Sequence, residues 1–143
     1  MLPPAPRNSA SPANPPALTP IQAWRFLWFG TVSNIGAAAD TAIATSDGLP
    51  NLLKYALGLN PLVPASNPLT GDISTGFLRL ISPRNPSATD VTISAEVAGD
   101  VMGAWATNGT TVEPSAANLF QARDNTRVHA AAERFMRLRV TRP

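Results

Sequence analysis

Ile43 to Lys54 (I-A-T-S-D-G-L-P-N-L-L-K) is the segment whose residue types and spacing come nearest to ion chemistry. A twelve-residue calcium loop of the EF-hand kind wants carboxylates at positions one, three and five, glycine at six, a water-linked polar group at nine and a bidentate glutamate at twelve. Asp47, Gly48 and Asn51 fill positions five, six and nine, whereas Ile43, Thr45 and Lys54 stand where three anionic ligands belong. Two unit charges 4 Å apart interact by about 4 kcal/mol at the effective dielectric near a protein surface, and an ammonium facing a divalent ion is opposed by roughly twice that. The expectation is a vestigial loop that keeps its turn and has lost its ion. Asp47 and Asn51 are the surviving ligand positions, and Lys54 is free to extend its head into solvent. No metal or other cofactor is expected.

Catalysis has less to draw on. His129, in R-V-H-A-A-A-E, is the single histidine, and neither a Gly-x-Ser-x-Gly elbow nor a second histidine for a zinc pair accompanies it. Asp90, Glu96, Asp100 and Glu133 are carboxylates of the kind that hydrolyse glycosides in pairs, but no spacing sets two of them across one bond. A phosphate-cradling glycine loop is also missing from the sequence. The reading is therefore non-enzymatic. Arg137 and Arg139 alternate with Met136, Leu138 and Val140, with Arg134 and Arg142 nearby. Four arginines on one ribbon make a candidate anionic-ligand face for phosphates, sulfated glycans or lipopolysaccharide. The preferred reading is plainer: a solvated outer face whose charges discourage edge pairing.

These residues must be carried by a small chain. Its 143 residues, 44% of them hydrophobic, suffice for one ordinary core or two small ones. Fifteen prolines and a charged fraction of 14% imply many turns and linkers. With no cysteine, disulfides and thiolate metal sites are excluded. A net charge of +2 is too small a surplus to demand nucleic acid or another polyanion. No apolar run approaches the roughly 20 residues that span a bilayer. The opening M-L-P-P-A-P-R-N-S-A-S-P-A-N-P-P-A has no basic start or apolar centre of a signal peptide, and reads as a disordered Pro-rich linker over residues 1–18. That start suggests a module taken from the C-terminal end of something longer.

Order is expected from Thr19. Thr19, Pro20 and Gln22 supply the cap, the first-turn proline and the partner residue of a capping box. Ile21, Trp24 and Trp28 then make one stripe, with Leu27 beside it, and Gly30 ends the helix. These aromatics are read as core in preference to a sugar-stacking platform. After the loop, Leu52, Leu53, Ala56 and Leu57 form the apolar face of a second helix closed by Gly58-Leu59, and this face is expected to pack on Trp24 and Trp28.

The rest reads as strand. Val91, Ile93, Ala95 and Val97 alternate with Thr92, Ser94 and Glu96, a period of two with a single buried face. Other candidates are 77–81, 101–107, 110–113, 119–123 and 135–141, separated by turn signals such as Asn108-Gly109 and Asp124-Asn125. Trp105 is expected to fill the core between sheets.

The stretches T-P-I-Q-A-W-R-F-L-W-F-G, A-A-A-D-T, S-D-G-L-P-N-L-L-K-Y-A-L-G-L-N-P-L and R-F-M-R-L-R-V-T-R-P together resemble the C-terminal modules of large exported bacterial proteins. In those, a helix of the form W-R-x-x-x-F-G leads into a D-x-D-x-D-G-L-x-N-L-x-E-Y-A-L-G calcium loop, of the loop-plus-helix kind seen in dockerin-type and thrombospondin-type repeats, and then a small β domain. The resemblance, over Thr19 to Pro143, implies an α+β chain. A helix-loop-helix over 19–62 is followed by a linker over 63–75 and a small antiparallel, immunoglobulin-like β-sandwich over 76–143. It implies an extracellular or cell-surface structural or attachment module, partnered by a parent polypeptide or cell-surface components. The alternative function is a sandwich that binds glycan or an anionic surface polymer.

Overall fold

The computed structural model describes residues 2–3 and 15–143, so most of the linker read over residues 1–18 lies outside the described residues. Over the described residues the chain is α+β, with two short α-helices and six strands in two antiparallel sheets. No described helix is long and apolar enough to cross a membrane.

Helix α1 spans Pro20–Phe29, one residue earlier than the apolar stripe alone implies, because Pro20 takes the first helical position. The capping box forms: Thr19 Oγ1 accepts from Gln22 N, Gln22 Oε1 accepts from Thr19 N, and Gly30 ends the helix at φ 69°. Its buried face differs from expectation. Leu27 is 74% exposed, whereas Arg25 is 2% exposed. At 3.6 residues per turn Leu27 falls about 120° from Ile21 and Arg25 only about 40° from it, so the helical period itself turns Arg25 inward.

Helix α2 covers Asn51–Leu57 and closes as expected, with Leu59 N donating to Lys54 O (2.8 Å) and Gly58 N to Tyr55 O (3.2 Å). It packs on α1 through Trp24, which meets Tyr55 edge-on with ring centroids 5.5 Å apart. The cluster of Ile21, Tyr55 and Ala88, flanked by Trp24, Leu52 and Val91, includes residues that precede the strand after Asp90. Asp90 ties the same junction: its carboxylate accepts from Ile21 N (3.0 Å) and from the Tyr55 phenol. Asn85 adds two further bonds, its backbone N donating to Ala56 O (2.9 Å) and its Nδ2 to Tyr55 O (3.1 Å).

Strands β1 (Thr70–Asp72), β2 (Phe77–Pro83), β5 (Leu119–Arg127) and β4 (Thr110–Val112) form one sheet in the order β1-β2-β5-β4, and β3 (Thr92–Ala98) pairs with β6 (Phe135–Thr141) in the other. Leu80, Ala95, Phe120 and Ala122 form the buried cluster between them, with Leu69, Ile93, Met136 and Leu138 packed against it. Val101 to Thr107 is not a strand. Only Ala106 pairs, in a two-bond bridge to Val97 at the far edge of β3. β5 runs through Asp124-Asn125, where the sequence suggests a turn, because Asp124 turns into the core at 0% exposure. β1 lies within the stretch read as linker, where its three residues alternate too briefly to show a period.

Candidate functional site

The loop that follows α1 brings three of its twelve positions together, but around a nitrogen. Lys54 is 0% exposed. Its Nζ lies 2.6 Å from Asp47 Oδ2 and donates to Thr45 Oγ1 (2.7 Å) and to Val63 O (3.1 Å). The extended, solvent-seeking conformation expected from sequence is therefore not adopted. An ammonium has three N–H donors and no acceptor, and here each donor has one oxygen facing it. Positions three, five and twelve thus converge, with the twelfth supplying the positive charge.

Asp47 is held from two further directions. Its Oδ1 accepts from Leu49 N (3.0 Å) and its Oδ2 from Ala65 N (2.8 Å). Burial pushes its carboxyl up, but the Lys54 ammonium and these amides outweigh burial and hold it well below the usual carboxylate range. Gly48 sits at φ 74°, the left-handed turn that position six requires.

Asn51 does not join the cluster. Its Nδ2 donates instead to Ala37 O (2.8 Å) and Ala39 O (2.9 Å), pinning the single 3-10 turn Gly36–Ala38 against α2, and its Oδ1 is buried without a partner. Ile43 is 53% exposed and contributes nothing to the cluster. A calcium ion does not fit this donor set: one carboxylate, one hydroxyl and one carbonyl already face a fixed positive charge, against the six to eight oxygens the ion takes. Among the described residues, no group of three or more His, Cys, Asp or Glu is placed to hold a metal.

The four C-terminal arginines each have a carboxylate partner. Arg134 grips the buried Asp124 with two bonds (2.6 and 2.8 Å). Arg137 and Arg139 share Glu96 at 2.7 and 3.0 Å, and Arg142 meets Asp40 at 2.8 Å. Arg137 also lies over the Trp105 ring, 4.3 Å from its centroid, which leaves Trp105 half-buried rather than filling the core. Trp24 and Trp28 are likewise half-buried. The carboxylates considered for catalysis are dispersed: Asp90 at the α1–α2 junction, Glu96 under two arginines and Asp100 capping Met102 N in an exposed turn. His129 is exposed.

Sequence reasoning missed Asp40. Its carboxylate bonds the buried Arg25 on one oxygen and Arg142 on the other, and its backbone N donates to Asn34 Oδ1 (2.7 Å). The motif pairing of Arg25 in W-R on α1 with Asp40 in A-A-A-D-T, fifteen residues on, was the available signal.

The acidic groups set a direction for pH. Bonds from Arg137 hold Glu96 below its ordinary value, Gln121 and Arg79 do so for Glu113, the Ser74 amide and hydroxyl for Asp72, and Arg134 outweighs burial at Asp124. A depressed folded value means stability is complete above the ordinary carboxylate pKa of about 4 and is lost as pH falls through the folded values. Tyr55 has the opposite sign: burial and Asp90 push its phenol up, so its contribution is complete below about pH 10 and declines above it. The melting temperature is expected to be flat between about pH 5 and 9 and to fall at both ends. Equal melting temperatures at pH 3 and pH 7 would refute this.

Comparison of the chain with protein-family models, with curated proteins and with solved structures returns no match.

Proposed function

We propose that this chain is a non-catalytic structural module of an exported bacterial protein, in which the Lys54 ammonium replaces the calcium ion of the ancestral loop. One observation carries the reading: a fully buried Nζ surrounded by the Asp47 carboxylate, the Thr45 hydroxyl and the Val63 carbonyl. A cation carried on the chain frees the module from ambient calcium while preserving the turn that delivers α2 onto α1. The resemblance in its helix and loop motifs supports a location outside the cell or on its surface, joined to a parent polypeptide.

The β part is read as a small immunoglobulin-like sandwich. Supporting this, the orders β1-β2-β5-β4 and β3-β6 follow the constant-type division of strands into A-B-E-D and C-F-G, with β6 in the place of F. Binding of an anionic polymer along a four-arginine face is less well supported, since Arg134 and Arg142 are taken up by Asp124 and Asp40 and only Arg137 and Arg139, which share Glu96, keep charge in excess.

The test is thermal. A ligand that binds only the folded state raises the melting temperature by mass action. The expected shift with calcium at roughly a thousandfold excess over chelator-treated protein is below about 1 °C. A saturable rise of several degrees would overturn the proposal.

A further inference from the structure

We propose that the unpaired edge of β6, with the apolar groove beside it, accepts one extended strand of another protein in which apolar and acidic side chains alternate. All seven β6 residues pair with β3, and among the described residues the second edge of β6 makes no backbone hydrogen bond. The opposite margin of the same sheet is paired at one point, by the Val97–Ala106 bridge, both of whose bonds are 3.0 Å. In the sandwich reading on which this rests, the open edge is the one to which the seventh strand, G, would pair.

The space beside it suits a strand. Three adjoining open pockets follow β6, of about 510, 240 and 220 Å³. Val140 lines the first, Leu138 and Met136 the second, and Met136 the third. Leu53 of α2 joins the first pocket to the second and Leu69 the second to the third, so the floor is mainly apolar beside Val140 and Leu138 and turns polar beyond Met136, where Thr70 and Arg79 line the third pocket. A strand added to an exposed sheet edge gains main-chain bonds from the edge and specificity from pockets that take alternate side chains.

Charge selects the other side chains of the guest. Met136, Leu138 and Val140 alternate with Arg137 and Arg139, whose side chains are 51% and 55% exposed and share the single carboxylate of Glu96. That trio carries one unit of positive charge in excess, on the outer face where the guest's intervening residues lie. Acids there complement it. A second copy of β6 does not, because antiparallel pairing sets arginines against arginines.

The test uses the full chain and two labelled peptides, Thr-Val-Glu-Val-Glu-Val-Thr and its counterpart with lysine for glutamate. Saturable micromolar binding is expected for the acidic peptide, at least tenfold weaker binding for the basic one, and slowed amide exchange over 135–141. Arg139→Gln, at a half-exposed site, is expected to weaken the acidic peptide about fivefold while leaving the melting temperature in place. Absence of binding at millimolar peptide, equal affinity for the two peptides, or protection confined to Thr110–Val112 would overturn the proposal, as would a concentration-dependent dimer that protects β6. Ile43, Gly48 and Pro50 of the loop line the first pocket, but the calcium titration reads the buried Lys54 cluster and the exchange measurement reads the β6 backbone, so either idea can fail alone.

Discussion

Lys54→Glu is expected to lower the melting temperature by on the order of 10 °C in calcium-free buffer and to make the protein respond to calcium. The substitution removes the one cation facing Asp47 and puts a second carboxylate within the same turn, where Thr45 Oγ1 and Val63 O remain as neutral oxygens. Two like charges in a space sheltered from water repel, and a divalent ion relieves that repulsion. At roughly 10 mM calcium the variant should recover about 4 °C, while the parent chain does not move. Lys54→Met separates the two effects. It leaves Asp47 with only its amide partners, so stability falls, but supplies no second carboxylate, so calcium brings no recovery. Should Lys54→Glu melt with the parent chain, the ammonium is not what holds the loop.

Asp40→Ala should cost about 3–5 kcal/mol, the usual consequence of removing one partner of a buried ion pair. The Arg25 side chain is only 3% exposed and reaches from α1 to Asp40 and to Val32 O, so without the carboxylate a guanidinium stays buried with little to neutralise it. Arg142→Ala removes the other ion pair of the same carboxylate, but Arg142 is 30% exposed and water can replace it, at a cost of about 1 kcal/mol or less. Urea denaturation of both variants gives the comparison. Equal, small losses would show that Arg25 finds another acceptor and that the motif pairing is not an anchor.

The helices were legible because their signals are local. A capping box, a first-turn proline and the Gly58-Leu59 ending each depend on neighbours within a few residues, and each forms. β6 was legible for a related reason, since Met136 to Val140 alternate cleanly and pair without a bulge along β3. Asp124 was misread because an Asp-Asn pair signals a turn unless a distant arginine neutralises it, and Arg134 is brought there only by the fold. Within the loop, composition showed which ligands were lost but not where Lys54 would point. A lysine among leucines on a short helix has two outlets, solvent or a buried acid, and the choice depends on Val63 and Ala65 folding back over the loop from beyond α2. Asn51 illustrates the same limit: its place in the twelve-residue count suggested an ion, and its amide serves two carbonyls of the preceding turn.

The Arg142–Asp40 bond spans 102 positions, and the Arg137–Glu96 bond 41. Chain segments that distant meet slowly, because closure entropy must be met before the contact rewards it, and β-rich chains of such connectivity fold in milliseconds to seconds. β6, the last strand along the chain, depends on both closures. Until they form, its hydrophobic row remains open to solvent and to other chains, so the interval before this strand docks is when the nascent protein is most vulnerable to misassociation.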